Sequence, residues 1–135
     1  MEIYKDFRFE AAHLLPRAPD GHKCKRLHGH SFKVRIWISG AVDPNRGWIM
    51  DLGEIKNKSE PIIDELDHQF LNELPGLENP TSENIAKWLW VRIKALISEL
   101  SCVEVQETCS VGVRYYGRDC ASGIGSVLHE GRINE

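Results

Sequence analysis

The sequence predicts an α+β domain: a four-stranded antiparallel sheet with two helices on one face, in the order ββααββ. Three observations carry this. Apolar and polar residues alternate with a period of two near both ends of the chain, and helical apolar stripes lie between them. Strands and helices also come in runs rather than in strict alternation, which places helices on one side of a sheet instead of around parallel strands. At 135 residues and 41% hydrophobic the chain has room for one core and no second domain. That domain is expected over 1–117, with 118–135 as a Gly- and Ser-containing tail and a candidate mobile segment.

Each element follows from its pattern. Phe7, Phe9, Ala11 and His13 share one face of a first alternating segment. From His28 the alternation puts His28, His30, Phe32, Val34, Ile36 and Ile38 on one face and Gly29, Ser31, Lys33, Arg35, Trp37 and Ser39 on the other, a half-buried strand. The two strands are expected to pair as an antiparallel hairpin across a long loop, Leu15 to Leu27, that holds Cys24. Asp51 can cap a helix over Gly53 to Leu66, with Pro61 expected to kink it or end its first part. Pro80 and Thr81 start a second helix, Glu83 suits its positive end, and Ile85, Trp88, Leu89, Ile93, Leu96, Ile97 and Leu100 form its stripe. Val103, Val105, Glu107 and Cys109 then alternate with polar neighbours, and Val111 to Tyr116 closes the sheet. Turn clusters at Pro16 to Gly21, Gly40 to Gly47, Pro75 to Thr81 and Gly117 to Gly125 punctuate these units.

Composition narrows the partners. A net charge of -3 supplies no general basic surface for nucleic acid or anionic lipid, so an anionic ligand must meet a local cluster. Charges in Met1 to Asp6 occupy the place where a secretory signal needs an apolar core, and no apolar run reaches membrane-spanning length. Four cysteines without a C-x-x-C pair fit reduced thiols. A cytoplasmic protein is the expectation.

The chemistry concentrates in a few side chains. His28 and His30 leave one strand face with Cα atoms ~6.6–7 Å apart, a span that one metal ion bridges, and His13 can complete a facial set. A single histidine on an apolar face is more often a hydrogen-bonded core residue than a ligand. Three converging imidazoles would each need a polar partner, and one ion satisfies all three. Three nitrogen ligands leave a position for water or substrate, the mark of a catalytic metal. Cys24 lies four residues before His28 amid Lys23, Lys25 and Arg26, cations that favour a thiolate, so it can serve as base or nucleophile, although a loop cysteine is usually inert. The same basic run is a solvated loop or a phosphate contact. Asp67 can orient His68 for proton transfer, but neighbours in sequence often point apart. Glu107 shares a face with Val103 and Val105 and needs a donor, either an internal cation such as Arg114 or a ligand with paired N–H groups.

Taken in order, Phe9-Glu10-Ala11-Ala12-His13, Cys24-Lys25-Arg26-Leu27-His28-Gly29-His30, Leu66-Asp67-His68, Asn79-Pro80-Thr81-Ser82-Glu83 and Glu107-Thr108 resemble the 6-pyruvoyltetrahydropterin synthase family over about Ile3 to Tyr116. The resemblance implies the tunnelling fold, commonly a hexamer of two trimers with active sites between subunits. It implies zinc on His13, His28 and His30, Cys24 as proton acceptor, and Asp67 with His68 as a relay from a neighbouring subunit. Glu107 would grip the N–H edge of a pterin ring, and this glutamate is sometimes counted in the relay. Three residues separate Cys24 from His28, a spacing that resembles the carboxytetrahydropterin-forming branch of the family; the pyruvoyl-forming branch typically carries a longer insertion. The implied substrate is 7,8-dihydroneopterin triphosphate, cleaved to 6-carboxytetrahydropterin, acetaldehyde and triphosphate in queuosine biosynthesis. Lys25, where the family pattern has a small residue, and the tail after Gly117 depart from it. Rival functions are the pyruvoyl-forming synthase, a zinc hydrolase that leaves Cys24 dispensable, and a zinc-stabilised binding module that leaves Asp67-His68 without a role.

Overall fold

Alternation at the two ends of the chain folds into one sheet. In the computed structural model, which describes residues 1–119, strand β1 spans Glu2–His13 and β2 spans His28–Ser39. They form the expected antiparallel hairpin, in register from Glu2 opposite Ser39 to His13 opposite His28. Helix α1 covers Leu52–Asp64, the short strand β3 Gln69–Phe70, helix α2 Ser82–Leu96, and strands β4 and β5 cover Leu100–Thr108 and Val111–Tyr115. Helices α1 and α2 pack on one face of the sheet, α1 against β1 and α2 against β4 and β5. Phe9, Phe32, Val34, Ile36, Ile38, Val103 and Val105 meet Ile55, Ile63, Ile85, Leu89 and Ile93 there, all essentially buried. Rows of cross-strand apolar pairs against a helix stripe are the cheapest way to remove this surface from water, at ~25 cal/mol per Å².

Five expectations need correction. The sheet is five-stranded and mixed, in the order β3-β1-β2-β4-β5, not four-stranded and antiparallel, so the element order is ββαβαββ. The extra strand, β3, pairs parallel with β1 at Ala11 and Ala12. Two residues are too short to carry a periodic signal, and what holds them is backbone bonding that sequence does not display. Pro61 neither ends nor splits α1; the helix runs on to Asp64. Both Pro61 and Asn57, whose carbonyl loses its helical partner, are exposed, so water takes the orphaned acceptor. On α2 the stripe ends at Ile97: Leu96 is exposed, and Leu100 opens β4 instead. Tyr116 falls just outside β5, and Cys109 is an exposed turn residue. The expected tail lies, from residue 120 onward, outside the described residues.

Candidate active site

Hairpin register builds the centre of the site. His13 ends β1 directly opposite His28, which begins β2, and His30 follows on the same face. The three rings lie edge to face, with centroids 4.5 to 5.1 Å apart, and their candidate ligand atoms all fall within 4.8 Å of one another. Gly29 between the two β2 histidines is tightly enclosed: a Cβ there would sit 3.2 Å from the Ala11 carbonyl oxygen.

Two imidazoles have one nitrogen committed. His13 Nδ1 donates to the Pro80 carbonyl at 2.8 Å and His28 Nδ1 to the Arg26 carbonyl at 2.7 Å, which leaves the lone pair of each ring on Nε2. Nε2 of His13 and Nε2 of His30 are buried and have no hydrogen-bond partner among the described residues. A buried polar atom left unpaired is costly, and three neutral imidazoles sharing one point fit a borderline cation such as zinc. Burial of His13 holds its pKa below the ordinary histidine range; the nearby His28 works in the same direction and the Pro80 carbonyl against it.

Glu107, near the end of β4, reaches this cluster. Its Oε2 lies 3.8 Å from His30 Nε2, and its Oε1 accepts a hydrogen bond from Ser82 Oγ at 2.8 Å. Arg114, considered as its internal partner, serves Glu104 instead: it sits on the opposite face of the sheet, where Glu104 also accepts from Trp37 Nε1. Pairing of β2 with β4 stops at Lys33 and Gln106, and beyond it the strands part around a cleft of about 520 Å³ lined by Arg8, Ser31, Lys33, Glu107 and their neighbours.

Cys24 is not among the clustered ligand residues. It lies in a single 3-10 turn, Lys23–Lys25, whose backbone is anchored by Leu15 N–H donating to the Cys24 carbonyl at 2.8 Å and Cys24 N–H donating to His22 Nδ1 at 3.1 Å. Of the three cations near it in sequence, Lys25 is drawn to Asp20 at 2.5 Å.

Asp67 and His68 do point at each other, with His68 Nδ1 2.9 Å from Asp67 Oδ2. The backbone of Glu10 fixes the pair: its N–H donates to Asp67 Oδ1 at 2.9 Å, and its carbonyl accepts from His68 N–H at 2.6 Å. Those bonds hold His68 at φ 57°, a left-handed conformation unusual for a residue with a side chain. The Glu10 N–H, and after it His68, keeps the Asp67 carboxyl below the usual carboxylate range. Within the chain the dyad stands beside the edge strand of the sheet. It precedes β3, two strand spacings or ~10 Å of backbone from β2, and the His68 side chain is 78% exposed. An open hollow of about 570 Å³ has both His30 and His68 in its walls.

Sequence patterns did not single out Ser82, the Pro80 carbonyl or the Glu10 backbone. Pro80 to Ser82 was visible as a helix start and within a motif of the family resemblance, with no role attached to any of its residues, because backbone acceptors and a first-turn serine carry no periodic signature.

Comparison with known proteins follows this geometry. A profile described as 6-pyruvoyl tetrahydropterin synthase matches residues 2–118. The chain is 42% identical, over 84% of its length and 92% of the relative's, to a 6-carboxy-5,6,7,8-tetrahydropterin synthase of Synechocystis sp.. It is 33% identical to the human 6-pyruvoyl tetrahydrobiopterin synthase over 67% of this chain and 66% of that one. The fold superposes on a solved 6-pyruvoyl tetrahydropterin synthase of Caenorhabditis elegans with a TM-score of 0.81 at 27% identity, covering 87% of this chain and 96% of that one.

Proposed function

The chain belongs to the 6-pyruvoyl tetrahydropterin synthase family, and from that premise we propose that it is a 6-carboxytetrahydropterin synthase. With water, 7,8-dihydroneopterin triphosphate would give 6-carboxytetrahydropterin, acetaldehyde and triphosphate. Two things favour this product over the pyruvoyl one: the Synechocystis relative is the more similar and the more fully covered, and only three residues separate Cys24 from His28. The observation that carries the chemistry is the facing set of His13, His28 and His30, two of whose buried nitrogens have no hydrogen-bond partner among the described residues.

In this proposal His13, His28 and His30 hold zinc, which supplies Lewis acidity to the side-chain hydroxyls of the substrate. Glu107 accepts the N–H edge of the pterin ring. Cys24 takes the proton from the side-chain carbon nearest the ring, and His68, oriented by Asp67, carries protons to and from the reacting atoms. The dyad, with His68 exposed at the sheet edge, serves the site of a neighbouring copy in a hexamer of two trimers. A zinc hydrolase would need neither Cys24 nor the dyad, and a zinc-stabilised binding module would not need a histidine held at a left-handed φ by its backbone. No helix among the described residues is long and apolar enough to cross a membrane, which accords with the proposed work on a water-soluble substrate in the cytoplasm.

Incubation with 7,8-dihydroneopterin triphosphate tests the proposal, with mass analysis of the pterin and trapping of the aldehyde. A carboxyl at position 6 and one acetaldehyde per turnover are expected. A pterin that keeps its three-carbon side chain as a diketone, with no aldehyde trapped, replaces this assignment with the pyruvoyl-forming one.

A further inference from the structure

Ser82 has a hydroxyl that the helix it belongs to does not use. It is the first residue of α2 and only 7% exposed, yet the capping bond at this terminus is made by its neighbour, Thr81 Oγ1 accepting from Asn84 N–H at 3.1 Å. The Ser82 hydroxyl instead donates to Glu107 Oε1 at 2.8 Å, across 25 residues of sequence and onto another element. Two positions earlier, the Pro80 carbonyl holds His13 Nδ1. One short stretch at the start of α2 therefore fixes both a candidate metal ligand from β1 and the carboxylate from β4.

We propose that Ser82 is a positioning residue for ligand binding: its hydroxyl holds the Glu107 carboxylate in the plane that receives paired N–H donors of a planar heterocycle. This rests on the function proposed above. An ionised carboxylate offers about four lone-pair sites, so one bond from Ser82 leaves both oxygens able to accept from a ring edge. The bond also removes the freedom of a long, partly exposed side chain, which would otherwise be lost on binding. An interaction with the ring, remote from the reacting carbons, holds the ground state and the transition state alike, so its loss appears in KM and leaves kcat in place.

The test uses the full-length, metal-loaded protein and compares wild type with Ser82→Ala, Ser82→Cys and Ser82→Thr. Three quantities are measured: metal content, KM and kcat for 7,8-dihydroneopterin triphosphate, and Kd for 7,8-dihydroneopterin by fluorescence titration. Ser82→Ala should raise KM and Kd about tenfold, the low end for loss of a bond to a charged group, with kcat within about twofold and metal content unchanged. Ser82→Thr, which keeps the hydroxyl, should restore both constants, and Ser82→Cys, a weak donor of similar size that keeps the helix start intact if Ser82→Ala misfolds, should fall between. Unaltered KM and Kd in Ser82→Ala or Ser82→Cys would overturn the proposal and leave the proposed function standing. So would a fall in kcat that tracks lost thermal stability at constant KM, which is what a purely structural serine predicts. A wild-type protein that binds no dihydroneopterin would overturn both.

Discussion

Glu104 offers a sharp test of how this sheet is held together, because its carboxylate is buried on the face away from the helices. The side chain is 9% exposed and accepts from Trp37 Nε1 at 2.9 Å and from Arg114 Nε, with Arg35 Nε 3.7 Å away. In Glu104→Ala the partners fare differently. Arg114 is 59% exposed and returns to water, and Arg35 keeps its bonds to Asp6 at 2.7 and 3.0 Å, so neither adds much to the cost. Trp37 loses a charged acceptor for its indole N–H, about 1.5 kcal/mol, and the one buried methylene that is lost adds about 0.8 kcal/mol more. The expected destabilisation is thus about 2.3 kcal/mol, roughly a 7–12 °C fall in Tm for a chain of this size. Glu104→Gln keeps the methylenes and one acceptor oxygen and should lose about half as much. Urea unfolding followed by tryptophan fluorescence, at one fixed protein concentration because assembly shifts apparent stability, measures both. Glu104 pairs with Arg35, five residues along β2 from His30 or about 17 Å, so activity per folded molecule should not change. A loss below about 1 kcal/mol for Glu104→Ala would refute the ledger and mean that water solvates the Trp37 N–H once the carboxylate is gone.

Other expectations concern the site. His28→Ala should lose nearly all bound zinc by elemental analysis, whereas retention of one ion per chain would reassign the ligands. Cys24→Ala should keep the metal and the fold while turnover falls at least ~100-fold, the range for loss of a proton-transfer group; activity within a few-fold of wild type would remove the thiol from the reaction. Inactive Cys24→Ala and His68→Ala chains, mixed and reassembled, should recover part of the activity, since a mixed interface pairs an intact thiol with an intact dyad; no recovery after verified subunit exchange would refute shared sites. In the metal-free protein, the lowered pKa of His13 means that the unfolded chain binds a proton the folded one refuses. Its contribution to stability is therefore fully present above the unfolded histidine pKa near 6.5 and declines as pH falls below it. Urea midpoints from pH 8 to 5 check this, and a His13→Gln control with the same pH slope would refute it.

Period-two alternation made the hairpin and its buried face legible, because every other residue from Phe7 to His13 and from His28 to Ile38 must share one environment. For the same reason the three histidines could be assigned to one face before any coordinates existed. The Asp67-His68 pairing was legible only as adjacency. Its orientation depends on Glu10, more than fifty residues away, whose backbone N–H and carbonyl clasp the dyad and create β3. Backbone groups are the same at every residue, so no sequence pattern marks which of them will act.

Charge partners divide along the same line. Alone in sequence, Glu107 needed a donor, and Arg114 on the next strand was a reasonable candidate by type. Strand alternation sends Gln106 and Glu104 to one face and Glu107 to the other, so Arg114 meets Glu104 while Glu107 meets the start of α2. The sequence by itself determined which residues could do chemistry and which face each would occupy, because periodicity and side-chain type are local properties. Tertiary structure alone decided which partners they received. The Pro80 carbonyl on His13, the Ser82 hydroxyl on Glu107 and the Glu10 backbone on Asp67 and His68 are contacts between elements, and their geometry exists only once α2 has packed on β4 and β3 has docked on β1.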